Sequence, residues 1–87
     1  MTSSPAVSKE ALEQRIREIV AAQLRIDPTT ITQDATLQSL GADSLDIVEL
    51  VMRFEDEFHI EIKDEDAEKL HSFREMVSYV AEKQGLA

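Results

Sequence analysis

Residues 41 to 58 read Gly41-Ala42-Asp43-Ser44-Leu45-Asp46-Ile47-Val48-Glu49-Leu50-Val51-Met52-Arg53-Phe54-Glu55-Asp56-Glu57-Phe58, and their pattern decides the architecture. Gly41 breaks the chain, Asp43 offers a side-chain oxygen to the free amides of a helix start, and a helical repeat of apolar residues follows. At ~100° per residue, Ile47, Leu50, Val51, Phe54 and Phe58 fall in one narrow sector, the pattern of a face packed on a core. Leu45, Val48 and Met52 fall nearly opposite, bordered by Glu49 and Asp56 on one edge and Glu55 on the other, so this second stripe is expected to be half exposed. The spacing predicts a helix over 44–58. If Asp43 is its cap, Ser44 is its first residue and the serine hydroxyl is free to face solvent.

Upstream, Ser8 is a plausible N-cap and Glu10 suits a first turn. Leu12, Ile16, Ile19, Val20 and Leu24 then recur at helical spacing, predicting a first helix over 9–25. Asp27-Pro28 is expected to end it, because proline pushes the residue before it out of the α region. From Pro28 to Ala42 only Ile31, Leu37 and Leu40 are large and apolar, which predicts a long loop pinned to the core at three points. Downstream, Phe58 to Ile62 alternates like a strand but has no partner strand, so an extended connector is expected. Asp64 is expected to cap a short third helix reaching Leu70. Ser72 and Glu75 form a capping box for a last helix whose apolar face is Phe73, Met76, Val77 and Val80, and Gly85 ends it. The expected fold is all-α: a four-helix bundle with a short third helix and a long loop between helices one and two. Residues 1–7, small, polar and proline-containing, are expected to be a flexible tail on a single domain over 8–87.

Composition narrows the function. With 87 residues there is material for one modest core but not for a deep substrate cavity as well, so binding is expected at the surface. The formal net charge of −9 disfavours nucleic acid and favours basic protein partners. Cysteine is absent, which excludes disulfides and thiolate metal sites and suits a reducing compartment; the cytoplasm is expected. No apolar run reaches the ~18 residues of a membrane span, and no secretory leader is legible. Charge is polarised along the chain: residues 43 to 68 hold 11 acids against only Arg53 and Lys63 as bases.

Ser44 has no legible catalytic partner. A nucleophile elbow needs Gly-x-Ser-x-Gly, and the flanking positions here are Ala42 and Asp46. His59 lies about four helical turns away, and nothing in the sequence folds either it or His71 back toward the serine. Asp64, Asp66 and Glu68 lack the glycine that a calcium loop places after its third ligand. The serine is thus either part of a helix cap or a point of attachment, for which a helix start suits a phosphate ester.

The run from Gly41 to Asp46, continued by Val48-Glu49-Leu50-Val51, Phe54-Glu55-Asp56-Glu57-Phe58, Ile60-Glu61-Ile62 and Asp64 to Leu70, closely resembles the acyl carrier proteins, and residues 8 to 84 fit their length and helix order. The resemblance implies a 4′-phosphopantetheine arm on Ser44, transferred from coenzyme A by a phosphopantetheinyl transferase, with Asp43 and Leu45 flanking the modified serine and aiding its recognition. It implies that the arm's thiol holds growing acyl groups as thioesters and that the protein is a carrier and not an enzyme. It also implies that Leu45, Val48 and Met52, with Glu49, Glu55 and Asp56, meet basic patches on fatty acid synthesis enzymes: ketosynthases, reductases, dehydratases and acyltransferases. A monomer is expected. Gln38 and Ser39 stand where the commonest bacterial members carry an acid, Lys63 replaces a frequent proline, and Arg53 adds a positive charge to the recognition helix. A carrier for a polyketide or other specialised acyl pathway, an acidic interaction module without a prosthetic group, and a small esterase are the alternatives.

Overall fold

The computed structural model describes residues 8–85; the tail expected over 1–7 and the last two residues lie outside the described residues. Four α-helices occur in it: α1 (Lys9–Leu24), α2 (Ser44–Phe58), α3 (Asp64–Ala67) and α4 (Phe73–Lys83), with a 3-10 turn at Pro28–Thr30. The fold is the all-α arrangement with a short third helix and a long first loop. Among the described residues the only β-type pairing is an isolated antiparallel bridge between Thr36 and Ser72.

Each boundary has a local cause. Ser8 accepts the Ala11 amide and starts α1. The helix ends before the expected proline signal acts: Arg25 turns left-handed at φ 59°, and the amides of Arg25 and Ile26 both donate to the Ala21 carbonyl. Asp27 instead caps the 3-10 turn, accepting both the amide and the hydroxyl of Thr29. Ser72 and Glu75 form the capping box of α4 as its spacing predicts. The expectation for α3 is corrected. Lys63 occupies its cap position without a side-chain bond, Asp64 is its first helical residue, and α-helical geometry stops at Ala67. Turns donated by Lys69 to the Asp66 carbonyl and by Leu70 to Ala67 carry the chain on to Leu70.

Among the described residues the buried core is wholly apolar. Leu12, Ile16, Ile19, Val20 and Ala21 of α1 meet Leu50 and Phe54 of α2 and Phe73, Met76, Val77, Val80 and Ala81 of α4. Helix α1 packs against both α2 and α4 and is the spine of the bundle. Ile31 and Leu37 are buried and Leu40 is half-buried, so the loop is pinned where expected. Backbone bonds from Leu37 N–H to the His71 carbonyl and from Phe73 N–H to the Ala35 carbonyl, both 2.8 Å, hold this loop against the approach to α4. Arg17 reinforces the seam: its guanidinium donates to the Ile31 carbonyl and lies 4.7 Å from the centroid of the Phe73 ring.

Candidate functional site

Helix α2 begins as its first residues require. The Asp43 carboxylate accepts the Asp46 amide at 2.9 Å, and the Asp46 carboxylate accepts the Asp43 amide at 3.1 Å, a reciprocal box of two aspartates. Gly41 reaches φ 89° just upstream, a left-handed turn open to glycine at no steric cost. The Asp46 carboxyl is held below the ordinary aspartate range, first by the Asp43 amide and next by the Gln23 side chain. Ser44 is therefore the first residue of the helix and is exposed. Among the described residues its hydroxyl makes no hydrogen bond, whereas the Ser39 hydroxyl is bonded to Thr36 and the Ser72 hydroxyl is occupied as a cap.

Ser44 lines a cleft of about 960 Å³ between the long loop, the start of α2 and the end of α3 with the turn that follows it. Leu37, Ala42, Ile47, Ala67 and Leu70 give it apolar walls. This cleft is absent from the sequence reading, since its sides come from three separated segments. The same holds for His71, which lines the cleft with Ser44. No hydrogen bond joins the two among the described residues.

The second stripe of α2 is open to solvent as its phase predicts: Leu45 is 63%, Val48 53% and Met52 54% exposed, against 2% for Leu50 and 1% for Phe54. The three acids bordering that stripe are in different situations. Asp56 is exposed and lines a shallow bowl with Arg15, Ile19, Arg53 and Glu57. Glu49 accepts a 2.6 Å hydrogen bond from Gln23 of α1. Glu55 is half-buried and its Oε2 accepts the Ile62 amide at 2.9 Å, so this carboxylate also secures the connector after α2. Of the acids around α3 that lack a calcium loop's glycine, Asp66 is engaged within the fold: Tyr79 donates to it and Lys69 pairs with it, and among the described residues no group of acids or histidines is arranged to hold a metal.

A capped helix presenting a free serine beside an apolar cleft is the framework of a small helical carrier domain. A family model described as a phosphopantetheine attachment site matches residues 14–80, a region that begins within α1, ends within α4 and contains the long loop, α2 with Ser44, and α3. An acyl carrier protein of Akkermansia muciniphila is 46% identical over 80 residues, covering 91% of this chain and 100% of the relative. The chain belongs to the acyl carrier protein family. Its prosthetic group is accordingly 4′-phosphopantetheine, and no helix described is long and apolar enough to cross a membrane.

Proposed function

We propose that this chain carries growing acyl groups as thioesters on a 4′-phosphopantetheine arm attached to Ser44, delivering them to the enzymes of type II fatty acid synthesis. The observation that carries this reading is the exposed, unbonded hydroxyl of Ser44 at the first position of α2, inside the matched region. The free amides and positive dipole end of a 15-residue helix favour a phosphodiester there. A transferase forms the Ser44 Oγ–phosphorus bond as the phosphoanhydride of coenzyme A breaks; the nucleotide leaves and the serine proton passes to the enzyme. Once attached, the arm supplies a thiol, a group this cysteine-free chain lacks.

The chain's own residues supply placement. Ser44 holds the linkage, Asp43 and Asp46 fix the helix start, and Asp43 and Leu45 present it to the transferase. The cleft walls offer an acyl chain apolar surface, where each buried methylene contributes ~0.8 kcal/mol. Leu45, Val48 and Met52, rimmed by Glu49, Glu55 and Asp56, form the face that meets basic patches on ketosynthases, reductases, dehydratases and acyltransferases. The protein works as a monomeric cytoplasmic shuttle and not as an enzyme.

Incubation with coenzyme A and a phosphopantetheinyl transferase tests the attachment. Intact mass is expected to show one phosphopantetheine adduct, mapped by peptide analysis to Ser44, and Ser44→Ala is expected to take up none. A parent chain left unmodified by a transferase that loads a control carrier, or a Ser44→Ala chain that is still loaded, overturns the proposal.

A further inference from the structure

Gln23 sits near the end of α1, on the side turned toward α2, and its amide is tied to two carboxylates in the first turns of that helix. Nε2 donates to Asp46 Oδ1 at 3.2 Å and to Glu49 Oε1 at 2.6 Å. Its Oε1 is buried and has no hydrogen-bond partner among the described residues. Carboxylates only accept, so the amide must turn its NH2 group toward them; the opposite orientation would set an oxygen against two carboxylates. Leaving a buried acceptor unsatisfied is unfavourable. The side chain nonetheless holds this orientation, with one donor group bridging two acids that would otherwise repel each other.

From this geometry we infer that Gln23 is a positioning residue: it fixes the carboxylate of Glu49 for partner enzymes and braces the Asp43–Asp46 box that presents Ser44. The inference rests on the proposed docking role of Glu49. Gln23 touches no partner in this scheme and acts through the two acids. Its bond to Asp46 also contributes to holding that carboxyl below the ordinary range, which gives the role a signature separate from activity.

The test uses the full apo chain as protein substrate of a phosphopantetheinyl transferase with coenzyme A, comparing Gln23→Met, Glu49→Gln and the double variant. Methionine keeps the length and volume of glutamine and removes both the donor and the orphaned acceptor, so the fold is expected to survive, as circular dichroism checks. Gln23→Met is expected to raise KM for the carrier about fivefold, the effect of one lost hydrogen bond, with kcat little changed. Glu49→Gln is expected to raise KM as well, and the double variant to be no worse than Glu49→Gln alone. Carboxyl resonances are expected to show Asp46 titrating at higher pH in Gln23→Met. A raised KM in Glu49→Gln with a parental KM in Gln23→Met, full additivity in the double variant, or an unmoved Asp46 titration overturns the inference alone. A parental KM in Glu49→Gln overturns the docking reading and the inference with it.

Discussion

Asp46 serves the fold with both of its oxygens: Oδ2 accepts the Asp43 amide and Oδ1 accepts Gln23. These bonds favour the carboxylate, so its pKa in the folded protein lies below the ordinary 3.8. Stabilisation from such a group is fully present above 3.8 and disappears as pH falls through the folded value. Asp27, bonded to Thr29, and Glu57, bonded to Arg15, are shifted in the same direction. Asp46→Asn is therefore expected to lower stability against denaturant at neutral pH and to converge on the parent as pH falls below the ordinary 3.8 and through the lower folded value. A parent–variant gap that stays constant between the two conditions would reject the assignment. At this scale the sequence was informative about capping: the roles of Ser8, Asp43, Ser72 and Glu75 follow from side-chain reach along a few residues. Gln23 was not legible, because its partners are 23 and 26 residues away.

At the scale of elements, α2 and α3 differ in what holds them. Helix α2 has its capping box, a buried face and an ion pair from Glu57 to Arg15 of α1 at 2.9 Å. Helix α3 spans four residues and has no buried residue of its own, too short to be stable in isolation. It is held by Ile62 and Leu70, buried on either side of it, and by the Tyr79 hydroxyl, which donates to Asp66 at 2.9 Å. Burial and that bond push the Tyr79 phenol up to about 12. Tyr79→Phe removes the bond while keeping the ring and is expected to cost ~1 kcal/mol. Amide exchange should quicken chiefly at Ala67 and Leu70, across the mouth of the cleft, while α1 amides keep their protection. Uniform acceleration throughout the chain would show that α3 is not the element affected. The mistaken cap at Asp64 has the same origin: with three consecutive acids opening the segment, sequence alone marks a helix start but not which residue begins it.

The whole molecule carries a net charge of −9, and its acids are concentrated on α2, the connector and α3. Ion pairs recorded at Arg15, Arg17, Lys69 and Arg74 offset part of this, but all lie at or near the surface, where such pairs contribute little. Residual repulsion across a few ångströms is screened by salt, whose Debye length is ~10 Å at 0.1 M. The melting temperature is expected to rise with ionic strength and to rise at lower concentration with a divalent cation. A midpoint flat from low to high salt would show that self-repulsion is not a significant part of the balance.

The sequence by itself determined α1, α2 and α4, the presence but not the bounds of α3, the two phases of α2, the exposure of Leu45, Val48 and Met52, and the position of Ser44 as the first residue after a cap. All are consequences of helical periodicity and of bonds spanning three or four residues, which one chain segment contains in full. Only the tertiary structure decided the cleft, the presence of His71 in it, the engagement of Glu55 with Ile62 and the hold of Gln23 on Asp46 and Glu49. Each of these depends on how α1, the long loop and the segment around α3 lie against α2, and that is set by burial of a shared apolar core instead of by any local pattern.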